Sequence, residues 1–363
     1  MIMKDESSVI ERCLTSVRPL ISSFSIDDTG STDNAIELSY SALEGINGKI
    51  HSENWVNFAY NRSKAIEHAK EDGEADYLLL GIDADEELIL PKDYKLPELT
   101  HDCYRVEMRY GGITYKRPFI VNAKLPWRYE CVTHEYLHLD TPFSVANLEG
   151  PYIHVRCEGA RSRDPLKYQK DAATILKAME DEPNGPHTLR YQYYLAQSYK
   201  DGGDNLNALK WFKIRASNGG WVEERYMASL WAARMMESLG MDTDEVIMAY
   251  LRAWEILPTR VEALGNLARY SRFKERFALG ALFARTAALI PEPEESLFKE
   301  SSWYQWTALD ELAVNTYHMG DPRTCYASCL ELLNRPGLPE DQKKRVKDNL
   351  KFAHDRIVER RRK

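Results

Sequence analysis

Tyr77-Leu78-Leu79-Leu80-Gly81-Ile82-Asp83-Ala84-Asp85 joins an apolar run to two carboxylates one residue apart. A short continuous apolar run reads as a buried strand, which puts Asp83 and Asp85 at its carboxyl end. In open α/β sheets, ligands bind beyond that end of the strands. Two hard oxygen donors there suit magnesium or manganese, which needs one or two carboxylates and fills its shell with water and phosphate. The plain reading stands beside it: surface carboxylates are the default in loops after strands.

Upstream lies Ile26-Asp27-Asp28-Thr29-Gly30-Ser31-Thr32-Asp33. Phe24-Ser25-Ile26 reads as a short strand, and Gly30 supplies a free torsion at the turn. Ser31, Thr32 and Asp33 are N-cap types for a helix through Ile36, Leu38 and Ala42. A carboxylate at the strand end accepts from a base or ribose, and free amides at a helix start face phosphate. An ordinary strand-turn-helix corner accounts for the same residues.

Taken together, these segments resemble a family 2 glycosyltransferase of the GT-A fold. The resemblance starts at Met1-Ile2-Met3-Lys4-Asp5-Glu6 and runs through Asp28-Thr29-Gly30-Ser31-Thr32-Asp33. It continues through Trp55-Val56-Asn57-Phe58-Ala59-Tyr60-Asn61-Arg62 and Asp83-Ala84-Asp85-Glu86, and ends near Trp127-Arg128-Tyr129-Glu130-Cys131-Val132-Thr133-His134-Glu135. Roughly the first 160 residues are covered. Asp5 stands where the family usually has Asn, and the opening strand is short. The resemblance implies that Asp28 recognises uracil or ribose of a nucleotide-sugar. It places Arg62 and Glu6 near the nucleotide, Asp83 by the ribose and metal, and Asp85 as principal ligand of Mn2+ or Mg2+. Glu135 takes the position of the carboxylate base that deprotonates the acceptor in inverting members. His134, Trp127 and Asn61 become candidate donor or acceptor contacts. His154, on Tyr152-Ile153-His154-Val155, is a rival third metal ligand, and a structural histidine is the plain alternative for both histidines.

Composition fits an enzyme of this kind. The 363 residues suggest two domains, and 44% apolar content builds cores. A net charge of −8 argues against general nucleic-acid binding. No run of about 18 apolar residues reads as a membrane span. Early Lys4, Asp5, Glu6 and Ser7 do not read as a signal peptide, and six cysteines without a paired framework point to a reduced cytoplasmic compartment.

Ile10, Cys13, Leu14 and Val17 have helical spacing, as do Phe58, Arg62, Ala65, Ile66 and Ala69. Tyr104 to Tyr110 and Tyr115 to Asn122 alternate like strands around a Gly111-Gly112 turn. Beyond about Arg161 the chain becomes helical, with Glu182-Pro183-Asn184-Gly185-Pro186 as its clearest breaker. Leu195-Ala196, Tyr199, Ala208 and Phe212 then match the tetratricopeptide pattern. Tyr250, Ala253 and Pro258, next Tyr270, Phe283 and Pro291, and finally Leu312-Ala313 and Tyr317 suggest further units. A non-repetitive helical bundle is the alternative. Most aromatics of this half read as inter-helix core.

Two patterns compete for attention. His134-Glu135-Tyr136-Leu137-His138 matches the His-Glu-x-x-His of zinc proteases, which requires one helical face and a third ligand. Its neighbours here are of strand type. Cys325 and Cys329 share a helical face, but no second pair accompanies them, so small core residues are the expectation. The basic tail from Lys343 to Lys363 suits a helix C-terminus, with peripheral attraction to an anionic membrane as the sharper reading.

The expected architecture is thus an α/β GT-A domain with a Rossmann-like mixed sheet (1–160), a connecting helix and linker (161–185), and an all-α tetratricopeptide-like domain (186–363). The expected function is metal-dependent inverting transfer of a hexose from a UDP-sugar to a glycan, peptide or protein acceptor, held by the helical repeats. The alternatives are a transferase-fold scaffold that binds proteins and, last, a zinc metalloprotease.

Overall fold

A computed structural model describes residues 1–111, 113–294 and 296–362; Gly112 of the expected hairpin turn and Lys363 of the basic tail lie outside the described residues. The chain divides into Met1–His187 and Thr188–Lys363.

The first unit opens with alternating elements: β1 (Ile2–Met3), α1 (Ile10–Val17), β2 (Ser23–Asp28), α2 (Ala35–Ala42), β3 (Asn47–Ser52) and α3 (Phe58–Glu71). The three strands are parallel in the order β1-β2-β3. Ile10, Cys13, Leu14 and Val17 are the buried residues of α1; their three- and four-residue steps keep them on one face. There follow β4 (Tyr77–Leu79), β5 (Glu86–Ile89), β6 (Cys103–Tyr110), β7 (Ile113–Asn122), β8 (Arg128–Glu130), β9 (Tyr136–His138), β10 (Val145–Val155) and α4 (Lys167–Asp181). These give a mixed five-stranded sheet in the order β4-β7-β6-β10-β5 and a β8-β9 ribbon. In the sheet only β6 and β10 run parallel.

The deciding run is shorter as a strand than its apolar length. The ladder of β4 ends at Leu80 and Gly81, whose amides both donate to Phe119 O, at 2.9 and 3.4 Å. A Cβ on Gly81 would lie 2.1 Å from the Pro118 carbonyl oxygen. Only glycine permits that approach, and it turns Asp83 and Asp85 off the sheet.

The second unit consists of α5 (Thr188–Asp201), α6 (Asn205–Ser217), α7 (Val222–Ser238), α8 (Thr243–Ile256), α9 (Glu262–Phe273), α10 (Phe277–Ala287), α11 (Ala308–Met319), α12 (Pro322–Asn334) and α13 (Glu340–Arg362). Successive helices pack on one another. The repeat residues do the packing: Leu195, Ala196, Ala208, Phe212, Tyr250, Ala253, Tyr270 and Ala313 are buried. Tyr199, Phe283 and Tyr317 pack against these clusters half-buried. Among the aromatics Trp221 is the exception, exposed at the start of α7. Cys325 and Cys329 are core residues. One regularity was not read from sequence. Asp204, Asp242 and Asp321 each cap the second helix of a pair through their carboxylates, as N-cap acids do. The third pair lacks this cap, because Arg276 holds the position.

Before α11, a turn of π-helix at Trp303–Thr307 lays the Trp303 ring on Gly265. A Cβ there would come 2.4 Å from Trp303 Cε3. Gly265→Ala should therefore lower stability by about 1–3 kcal/mol through overpacking, despite alanine's better helix propensity. Chemical denaturation checks this; an unchanged or raised midpoint would mean that the ring yields freely.

Candidate functional site

The turn 83–86 is built by its own carboxylates and amides. Asp83 N donates to Glu86 Oε2 at 2.8 Å, and Glu86 N donates to Asp83 O at 3.0 Å. Arg117, on β7, donates to Glu86 and also to Gly81 O at 2.7 Å. Arg62, on α3, reaches Asp83 Oδ1 with Nη2 at 2.5 Å. Its Nε lies 2.6 Å from Glu135 Oε1, an ion pair whose angle is poor for a hydrogen bond. The Arg62 guanidinium also sits 5.7 Å from the centroid of the Tyr129 ring, within range of a cation-π contact. Three expected site residues, Asp83, Arg62 and Glu135, thus meet at one place.

Asp85 and Glu6 meet at another. Gly159 N donates to Asp85 Oδ2 and Ala160 N to Glu6 Oε2, both at 3.0 Å. Burial raises the Glu6 pKa; the Ala160 amide opposes the rise and Asp85 adds to it. Asp28 is buried and accepts from the amides of Gly30 and Ser31, at 3.1 and 3.0 Å through Oδ2. The Asp28–Asp33 corner also grips the opening loop. Asp5 N donates to Ser31 Oγ, Thr32 N to Asp5 Oδ1 and Ser7 N to Asp33 Oδ2, at 2.7–2.9 Å. Asp5 has φ 53°, a left-handed conformation in which Asn and Asp are enriched. An acid in the usual place of Asn therefore fits the backbone.

Other expected contacts are taken up by the fold. Asn61 is fully buried; its Oδ1 accepts from Val56 N and its Nδ2 donates to Asn54 O, each at 2.9 Å. It ties down a loop and has no free end for a sugar. Trp127 is a core residue whose Nε1 donates to Asn122 O at 2.9 Å. His154 is exposed on β10, opposite Glu87 and Arg109 in the register. The strand alternation puts it on the other face from buried Ile153. Among the described residues no three metal-capable side chains gather, so the ligand set Asp83, Asp85 and His154 is not assembled. The protease pattern fails on backbone alone, since Tyr136–His138 is strand and His134 has φ 53°. His138 instead faces Asp140 at 3.3 Å.

Arg117, Glu86 and the Gly159-Ala160 amides were missed. The inward alternation of β7 was the available signal for Arg117; nothing local marked the amides.

The donor chemistry still fits one kind of ion. Asp83 is engaged by two arginines, and Asp85 keeps a hard carboxylate oxygen. That suits Mg2+ or Mn2+ arriving with phosphate and water, not a cage of protein ligands.

Burial pushes the Glu86 pKa up to about 7. Burial also opposes ionisation of Asp83, but Arg62 and then Arg117 outweigh it and hold its pKa at about 2, below the ordinary 3.8. A lowered folded-state pKa gives stability that is whole above the unfolded value and is lost as pH falls through the folded one. Stability should thus decline from about pH 4 to about pH 2, and Asp83→Asn should remove part of that decline. The side chain is 37% exposed, so solvent screening keeps the effect shallow. Equal acid slopes in the two proteins would exclude Asp83 as the titrating group.

A curated relative is 33% identical over 304 residues, covering 78% of this chain and 72% of its own length: a TPR repeat-containing protein of Synechococcus elongatus. The chain belongs to the TPR repeat-containing proteins. The helical unit is just under half of the chain, so the likeness of this TPR protein to its relative also runs into Met1–His187. No family model matches. Among solved structures, BtubC from P. vanneervenii is 15% identical at TM-score 0.41, covering 55% of this chain and 85% of its own. A tetratricopeptide repeat protein from Parabacteroides merdae is 14% identical at TM-score 0.39, covering 54% and 69%.

Proposed function

We propose that the N-terminal unit is a glycosyltransferase using a nucleotide-sugar, with UDP as the nucleotide, and that the repeats hold its glycan, peptide or protein acceptor. One observation carries this reading: Arg62 draws Asp83 and Glu135 together from separate segments beside the strand end. Asp28 then serves the base or ribose and Asp83 the ribose. Glu135 accepts the acceptor's proton after Arg62 shifts its charge toward the incoming diphosphate. When bound at Asp85 with that diphosphate, Mg2+ or Mn2+ supplies neutralisation of the departing nucleotide's charge. Stacked helix pairs offer the extended surface on which repeat proteins hold partners.

A protein-binding scaffold without transfer is the second reading. The name of the S. elongatus relative fits it more closely than catalysis. The amides of Gly159 and Ala160 on Asp85 and Glu6 favour it too. A donor panel read by nucleotide release, with and without manganese, separates the two. Release from no donor under either condition supports the scaffold.

Glu135→Gln tests the base directly. It keeps shape and loses the proton acceptor, so transfer should fall about a hundredfold or more while calorimetric donor affinity survives. Full transfer by the variant would overturn the base role.

A further inference from the structure

The two sheets of the first unit leave a strand-wide gap between them. A parallel strand gives alternate backbone groups to its two neighbours. Toward β1, Met1 N donates to Ser25 O at 3.1 Å, Asp27 N to Met1 O at 2.8 Å and Thr29 N to Met3 O at 2.9 Å. The same alternation sets the Ser23 carbonyl and the Ser25 N–H on this edge, where β1 pairs only with Asp27 and Asp28. Across the gap, Ala123 N donates to Asp76 O and Leu80 N to Phe119 O, both at 2.9 Å. Those bonds face β7, so the backbone groups of Tyr77 and Leu79 face the other way. Between the edges lies a cavity of about 530 Å3, lined by Ser23–Ile26, by Tyr77–Leu80, and by Leu14 and Val17 of α1 with Ala65 and Ala69 of α3.

We propose that this cavity is an acceptor slot for an extended apolar peptide strand. The strand is about four residues long at the usual rise of ~3.3 Å, runs parallel to β2 in line with β1, and joins the two sheets into one. Its backbone is specified by the donors and acceptors on both walls, since sheet edges of this kind template another strand. Its side chains are specified by the helices that line the slot, because parallel strands covered by helices are apolar nearly throughout. An acyl chain matches the lining but leaves both rows of backbone groups without partners.

The test lengthens the chain ahead of Met1 by a short Val/Ile/Leu segment and compares a Ser/Asp/Gly segment of equal length. The apolar extension should raise Tm by about 4 °C or more and slow hydrogen exchange at the Ser25, Tyr77 and Leu79 amides at least about tenfold. The polar extension should do neither. The same apolar segment flanked by lysines, supplied as a free peptide, should give saturable protection of the same amides; this arm serves if the lengthened chain aggregates. Absence of protection in both arms overturns the proposal. So does a fatty acid that raises Tm when neither form of the strand does, which would assign the cavity to a lipid chain.

Discussion

Arg62→Ala should destabilise the N-terminal unit by about 3 kcal/mol and abolish donor binding. Arg62 stands between Asp83 and Glu135, with 14% of its own side-chain surface and 13% of that of Glu135 exposed. Removing one partner of a buried pair costs about 3–5 kcal/mol, because the other charge stays behind uncompensated. The low end applies because Asp83 is partly exposed and keeps Arg117, 3.6 Å away. Urea unfolding followed in the first unit measures the loss. A double-mutant cycle with Asp83→Asn should show coupling, since the two groups share one contact. A loss below about 1 kcal/mol with wild-type UDP affinity would remove Arg62 from the centre of the site.

Arg260→Ala should cost the helical unit more, about 4–5 kcal/mol, the upper part of the same range. Arg260 is 1% exposed and Glu262 is fully buried. Arg260 donates to Glu262 through Nε and Nη2 at 3.0 and 2.7 Å, to Glu223 at 2.6 Å and to Leu297 O at 3.1 Å. Glu262 is held further by the hydroxyls of Tyr226 and Tyr304, each at 3.2 Å. Burial raises the Glu262 pKa, yet Arg260 outweighs it and the net direction is down. Without the guanidinium that carboxylate must be protonated or hydrated inside the core. Arg260→Met combined with Glu262→Gln should lose less than Arg260→Ala, because no charge is stranded. Equal losses would make this a packing effect.

Local pattern carried the sequence reading where one element decides the outcome. Helical spacing placed the buried face of α1, and the Ala and aromatic offsets marked helix pairs whose small residues let the backbones approach. The apolar run ending in Asp83 and Asp85 located the rim of the sheet. At the site, Asp83, Arg62 and Glu135 were each named from sequence and do meet. Asn61 and Trp127 were named too, but a side chain that caps a loop or fills a core looks the same in sequence as one that faces a ligand.

Sequence by itself determined the order and type of the elements, because a period of two or of 3.6 is written into neighbouring residues. Tertiary structure alone decided which charges became partners. Arg117 reaches Asp83 and Glu86 because β7 pairs with β4. Gly159 and Ala160 reach Asp85 and Glu6 because β10 pairs with β5. His154 faces away from Asp85 because a strand's alternation fixes a face only after its register is set. Such contacts join residues far apart in the chain, and no local periodicity encodes them.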